Sequence, residues 1–499
     1  MKAFLMYKAQ DFDLQQQLPP NAQALTQDLE LQTLFNAMAL GDKFIFEVVK
    51  QAVLSSVTDL DTIHYRQDIL QDCLKNPSIV REIYALAVES IENERRNFWG
   101  LLSKYPTMVL HRSIDVMQMF VGMLSKLKRI ADEHADAFES EGFTRLFAML
   151  KAELDDDYFA SVQNHLKALK FRDGVLMSAE LGQGNQGIHY ILRKPQDKKQ
   201  GWVERIFAEK PLAYRFTIDD RDESGARALS ELKDRGINLV ANALAQSTEH
   251  ILSFFTMLRT ELAFYIGCLN VQGQLAQMQE PLCFPQPMAP GERRHTFQGL
   301  YDICLALTMK QGVVGNDGSA SEKDLVIITG ANQGGKSTFL RSIGLAQVMM
   351  QAGMFVPAES FCANVCESMF THYKRKEDAS MTSGKLDEEL SRMSFIVDHI
   401  TSNSMILFNE SFAATNEREG SEIARQIICA LLEQGIKVFF VTHLYEFAHG
   451  FYDKNMQSAM FLRAERQADG RRTFKLREGE PLQTSFGEDV YHRVFATDR

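Results

Sequence analysis

At 499 residues the chain is too long for one ordinary domain, and two to four domains are expected. An apolar share of 45%, a charged share of 24% and only 12 prolines describe a largely helical globular protein. The net charge of −11 argues against a surface adapted throughout to nucleic acid, although a local basic patch remains compatible with it.

Met1 to Leu14 holds no continuous apolar stretch with a small-residue cleavage site, so no signal peptide is expected. From Leu25 to about Lys170 the chain reads as successive amphipathic helices. Apolar residues recur three and four apart, as at Ile114, Met117, Phe120, Val121, Leu124 and Leu127. The texture then changes. Val175–Glu180 and Ile188–Arg193 read as short strands joined by a glycine-rich turn, and Tyr214–Ile218 as a third strand. Helical periodicity returns from about Ala226 to Gln277. A small β-containing insert, about 172–222, is thus carried within a mainly helical region, 1–280. A loop with Pro281, Pro285, Pro287, Pro290 and Gly291 marks a domain boundary. In 296–499, Leu325–Thr329, Met405–Phe408 and Val438–Thr442 are apolar runs of buried-strand type separated by helical segments. That alternation predicts a mainly parallel α/β domain.

No run of about 18 uncharged apolar residues occurs, so no membrane span is expected. The seven cysteines are scattered and odd in number, and no His or Cys cluster completes a metal site near Cys362 and Cys366. They read as buried, reduced thiols, and the sum points to the cytoplasm.

The strongest local signal is Gly330-Ala331-Asn332-Gln333-Gly334-Gly335-Lys336-Ser337-Thr338, which satisfies G-x-x-x-x-G-K-[ST] between a strand and a helix. Glycines let backbone N–H groups converge on phosphate oxygens, and the following helix aims its positive end at the anion. Lys336 is expected to neutralise the β- and γ-phosphates of ATP, and the Ser337 hydroxyl to ligate Mg2+. A second apolar strand delivers Asn409 and Glu410 at its carboxyl end, where a nucleotide-hydrolysing sheet places magnesium and water-activating groups. Glu410 is the candidate general base, Asn409 a candidate magnesium group, and His443, ending the next strand, a candidate partner of the γ-phosphate. Taken singly, an Asn-Glu pair after a strand reads as a helix cap and a strand-end His as structural; the combination carries the reading.

These residues make the sequence resemble the MutS family of DNA mismatch-repair ATPases, within the wider ABC-type group. The likeness runs from near Gly312 to Gly487. Gly330–Thr338 is similar to that family's G-P-N-M-G-G-K-S-T, and Asn316-Asp317, Val356–Ala358, Thr442-His443 and Ser485–Gly487 fall in its order. The resemblance implies an α/β ATPase domain preceded by core and lever helices, with the insert in the position of a DNA clamp. It also implies a homodimer with composite sites, each closed by a signature segment of the partner, here within Met381–Leu390. Alignment on Glu389-Leu390 puts Gly384 at the family's serine, with Ser383 adjacent and favoured. Val313 and Val314 supply an apolar wall for adenine, and Phe474 falls near the family's stacking position, where a core Phe is the alternative. Asn409 stands where the family usually has Asp, which implies weaker metal binding and slow turnover. No aromatic-x-Glu context of the N-terminal mismatch-reading domain is found.

DNA is the expected partner, contacted through phosphate and shape. Between Tyr190 and Arg215 seven basic residues stand against three acidic ones, with Trp202 and Tyr214 interleaved, but the whole insert nets only about +1. A solvated hairpin is the plainer reading of that stretch. Two alternatives stay open: an ATP-driven switch that clamps a protein partner, and a slow or non-hydrolysing ATP sensor.

Overall fold

The computed structural model describes residues 1–96, 105–172, 174–194, 216–219, 221–375, 384–467 and 471–483. Ser383, Ser485–Gly487 and the basic stretch 195–215 of the insert lie outside them. Five helices open the described chain: α1 (Ala22–Asp28), α2 (Leu31–Ala39), α3 (Lys43–Leu54), α4 (Leu60–Lys75) and α5 (Pro77–Arg96). Then come α6 (Pro106–His134), α7 (Glu141–Glu153), α8 (Asp156–Leu169), strands β1 (Met177–Leu181) and β2 (Gly187–Leu192), and the long helix α9 (Glu223–Gln277). Asp42, Asp59 and Asp155 cap α3, α4 and α8, their carboxylates accepting first-turn amides.

The chain divides into two compact units, 1–3 with 81–137 and 144–259, and 4–80 with 138–143 and 260–499. The first is helical. The periodic stripe Ile114, Met117, Phe120, Val121, Leu124 and Leu127 is buried in it, and Phe120 stacks on Phe255 of α9 with centroids 5.9 Å apart. Thr107 at the start of α6 donates its amide to Asp234 on α9 at 3.1 Å. β1 and β2 form an antiparallel hairpin within one or two residues of the predicted strands. The expected third strand is corrected: its described part, 216–218, is irregular, and Phe216 is 92% exposed. Helix α9 is apolar enough to pass for a membrane span, but its most apolar window is 72% buried, so core packing accounts for the composition.

The second unit holds α1–α4, the end of α9, and the remaining elements. These are β3 (Gln286–Met288), β4 (His295–Leu300), α10 (Ile303–Met309), β5 (Asn316–Ser319), β6 (Leu325–Gly330), α11 (Lys336–Gln351), β7 (Ser360–Asn364) and β8 (Met369–Tyr373). They continue with α12 (Lys385–His399), β9 (Met405–Asn409), α13 (Glu417–Glu433), β10 (Lys437–Val441), α14 (Tyr445–Tyr452), β11 (Ala459–Arg466) and β12 (Arg472–Glu478). Six strands form a sheet in the order β12-β11-β6-β10-β9-β8, parallel except at the β11–β12 edge. A second sheet runs β3-β7-β4-β5, so the proline-bearing stretch contributes a strand of its own. The sheet core is aliphatic and aromatic: Leu325, Ile327, Ile406, Phe408, Val438 and Phe440 are buried, with Ile428 of α13 and Phe447 of α14 packed on them.

An N-terminal segment without regular structure threads this unit and is held by side chains. The Glu261 carboxylate, fully buried on α9, accepts the amides of Leu5, Met6 and Phe12. Arg66 of α4 donates to the Met6 carbonyl at 2.9 Å and to the Ala352 carbonyl, just past α11, at 3.3 Å. These bonds satisfy backbone groups that have no strand or helix partner. Burial lifts the Glu261 carboxyl from 4.5 to about 7, against the pull of the three amides. The protonated form is therefore the one the fold favours. Its contribution is complete below pH 4.5 and is lost as pH rises through about 7. Urea midpoints of the wild type should fall from pH 5 to 8 by an amount worth about 3 kcal/mol. Glu261→Gln should flatten that dependence; an equal slope in the variant would contradict it.

Candidate functional site

Strand β6 is buried at every position, and its apolar run ends at Gly330. From there to α11 the chain makes a turn with no room for a side chain at Gly330 or Gly334. Gly330 and Gly335 have φ of 107° and 89°, in the region that penalises a side chain. A Cβ on Gly330 would lie 2.9 Å from the Ala464 amide nitrogen, and one on Gly334 2.6 Å from the Ala464 Cβ. Strand β11 thus closes against the back of the loop. On the open side Asn332, Gln333 and Ser337 are exposed and Thr338 is half-buried, while Ala331 is buried within. Lys336 is 5% exposed, and its Nζ donates to the Gly330 and Ala331 carbonyls at 3.0 Å each. Burial lowers its pKa to about 8, although the Glu410 carboxylate pulls the other way.

The parallel register brings the other expected residues to the same edge. Val441 of β10 pairs with Ile328 on one side and Asn409 on the other. The ladder runs on past the strands, the Glu410 amide donating to the Val441 carbonyl at 2.8 Å and that of Thr442 to Ile328 at 3.0 Å. Two side-chain pairs result. Ser337 Oγ donates to Asn409 Oδ1 at 2.9 Å, and His443 Nε2 lies 3.0 Å from Glu410 Oε1. The hydrogen bond from His443, seconded by the charge of Lys336, holds the Glu410 carboxyl below its usual range despite partial burial. Lys336, Ser337, Asn409, Glu410 and His443 therefore form one cluster of polar groups at the carboxyl ends of β6, β9 and β10.

Of the residues expected farther out, Phe474 is 49% exposed on β12, and a Cβ on Gly335 would come 3.5 Å from its backbone. Asn316 fixes that strand, Nδ2 donating to the Phe474 carbonyl at 3.3 Å and Oδ1 accepting the Leu476 amide at 2.8 Å. Val314 is 43% exposed, and the amide of Val313 donates to Glu280 at 2.7 Å. Gly384, the alternative to Ser383, is the N-cap of α12.

Several residues around Glu410 give no signal in the sequence. Glu410 and Phe412 have φ of 54° and 62°, a conformation costing about 1–3 kcal/mol each when the residue is not glycine. The surroundings impose it. The Phe412 amide donates to the buried Glu389 carboxylate of α12 at 2.8 Å, and the Phe412 ring stacks on His372 at 5.2 Å and 18°. His372 Nε2 donates to the Glu389 carbonyl at 2.9 Å, while Nδ1 faces Ser411 Oγ at 2.7 Å. Burial drops the His372 pKa to about 4, so the ring is neutral and has one proton to give. A Cβ on Gly420 would stand 2.3 Å from the Phe412 carbonyl oxygen. Within a helix Gly→Ala ordinarily stabilises by about 1 kcal/mol. Here the contact reverses the sign, and Gly420→Ala should lower the denaturation midpoint; a raised midpoint would show that the Phe412 turn yields freely.

Two family profiles match the chain, the MutS2 N-terminal domain over residues 58–278 and MutS domain V over residues 326–496. A DNA mismatch repair protein MutS of Methanosarcina mazei is 23% identical over 439 residues, 80% of this chain and 48% of that protein. One from Geobacillus kaustophilus is 30% identical over 237 residues, 47% of this chain and 26% of its own length. The human MutS protein homolog 4 is 26% identical over 246 residues, 48% of this chain and 25% of that protein. The chain thus spans between a quarter and about half the length of these relatives. The profiles cover both the helical region and the strand-bearing region with its polar cluster, and the chain belongs to the MutS family.

Proposed function

We propose that this protein binds ATP with magnesium on Gly330–Thr338 and hydrolyses it slowly, in a homodimer that acts on DNA in the cytoplasm. The observation that carries the reading is the meeting of Lys336, the Ser337–Asn409 pair and the Glu410–His443 pair at three adjacent strand ends. The loop has no room for side chains on Gly330 and Gly334, which suits a backbone that closes on a polyphosphate. Lys336, bonded to carbonyls of its own loop, is proposed to turn to the oxygens that develop charge between the β- and γ-phosphates. Ser337 and Asn409 are the residues that fit Mg2+, one hydroxyl and one amide carbonyl 2.9 Å apart. Held there, the metal would supply positive charge against the phosphates.

Glu410 is proposed to align the attacking water, accepting its proton as the bond from phosphorus to the β-phosphate oxygen breaks. Its depressed pKa keeps it ionised, which suits orientation better than strong proton abstraction. His443, bonded to Glu410, is proposed to contact the γ-phosphate. Asn409 brings no negative charge to the metal, and slow turnover follows from that. Phe474 and Val314, both half-exposed, are proposed as the walls of the adenine slot. Ser383, next to the N-cap of α12, is proposed to meet the partner's nucleotide.

The DNA part of the proposal draws on relatives named for DNA mismatch repair and on the basic residues between Arg193 and Arg215. Contacts of that kind are made to phosphate and weaken steeply with salt. Turnover measured with linear, mismatched and branched duplexes over a salt series should rise with DNA at low salt and lose that stimulation at high salt. Absence of both stimulation and binding at low salt would remove DNA from the account. Lys336→Ala should bind ATP at least 100-fold more weakly, an estimate of about 3 kcal/mol for a charge-assisted contact to phosphate. Unchanged ATP affinity in that variant would sink the nucleotide site itself.

A further inference from the structure

We infer that Glu389 and His372 are positioning residues for Glu410, and that through them helix α12 sets the geometry of the catalytic base. The inference rests on the proposed hydrolysis and extends it to groups that touch neither nucleotide nor metal. Glu410 occupies the first position of a turn whose backbone is unfavourable at both Glu410 and Phe412. Such a turn keeps its shape only if neighbouring groups over-determine it. The strand ladder fixes one end, through the Glu410 amide on Val441. The other end is fixed from α12. The Glu389 side chain is 3% exposed, and its Oε2 accepts the Phe412 amide at 2.8 Å. A buried amide in an irregular turn has no water to replace that carboxylate.

His372 adds a second tie. Its ring sits between Glu389 and Ser411, giving its one proton to the Glu389 carbonyl at 2.9 Å. Its bare Nδ1 stands 2.7 Å from the hydroxyl of Ser411, the residue next to Glu410. That hydroxyl also reaches the His372 carbonyl, so its single proton lies between two acceptors of the same residue. Glu389 therefore contacts the turn twice, directly by its carboxylate and through His372 by its carbonyl. These groups belong to β8, α12 and the loop after β9, and among the described bonds none of their side chains bonds to Lys336 or Ser337. A displacement of α12 thus has a route to the turn that carries Glu410 and no described side-chain bond to Lys336 or Ser337.

The role separates kcat from ATP binding. Misplacing a reacting group by about 1 Å costs on the order of 100-fold in rate. Glu389→Ala should lower kcat by about that factor while ATP affinity stays within about twofold. Glu389→Gln keeps an oxygen able to accept the Phe412 amide and should restore most of the rate. In a Glu410→Gln background Glu389→Ala should cause no further loss, because the group it positions is already gone. Rates that fall independently in the two backgrounds would overturn the inference, as would an unchanged kcat or an ATP affinity that falls with kcat. Should Glu389→Ala fail to fold, Ser411→Ala serves in its place, removing one oxygen from the His372 tie. There too kcat should drop at constant affinity, and an unchanged kcat would overturn the inference. Wild-type protein that binds ATP without any turnover would instead refute the proposed hydrolysis, and this inference with it.

Discussion

Everything at the polar cluster depends on the register of three parallel strands. Because Val441 stands level with both Ile328 and Asn409, the residues that follow each strand emerge at one height and on one edge of the sheet. Parallel strands place successive carboxyl ends side by side, and helices that follow them leave a crevice there. A shift of one residue in β10 would carry His443 away from Glu410 and turn the apolar side chains of Val438 and Phe440 out of the core. The register is thus held by burial. The aliphatic and aromatic packing of the sheet is what keeps Ser337 within 2.9 Å of Asn409.

A second constraint acts on the turn after β9. The turn after β9 is strained at Glu410 and Phe412, and its support is polar and buried: Glu389, His372 and Ser411 on one side, the bare Cα of Gly420 on the other. Buried polar networks of this type specify a single geometry when every member has a partner. Here the neutral His372 ring gives its one proton to the Glu389 carbonyl, and its bare nitrogen shares the Ser411 hydroxyl with the His372 carbonyl. The loop before α11 and the turn after β9 therefore differ in construction. Glycines shape the first, whereas side chains from distant elements shape the second.

That difference decides what could be read in the sequence. Gly330–Thr338 is contiguous, its chemistry is local, and the strands carrying the cluster are continuous apolar runs, which is why β6, β9 and β10 were legible within about a residue. The stripe from Ile114 to Leu127 was legible for the same reason, since period alone marks the buried face of a helix. Strands β4, β7 and β8 were missed. They mix polar and apolar residues, and His372 reads as a strand breaker of apolar pattern until its partners, 17 and 39 residues away, are known. The thread of residues 4–12 was equally opaque. Its backbone is held by Glu261 from the far side of the chain, and no local pattern announces such a bond. Around Phe216 the expected strand is not found in its described part, where the residue is almost fully exposed and irregular.

The central claim is that Glu410 drives the cleavage of ATP bound on the neighbouring loop. A single-turnover experiment on wild type and Glu410→Gln, with protein in excess over radiolabelled ATP, measures that step apart from binding and product release. The account predicts equal ATP binding and a cleavage rate lower by about 100- to 10,000-fold in the variant, the range for loss of a positioned general base. Equal cleavage rates in the two proteins would contradict it.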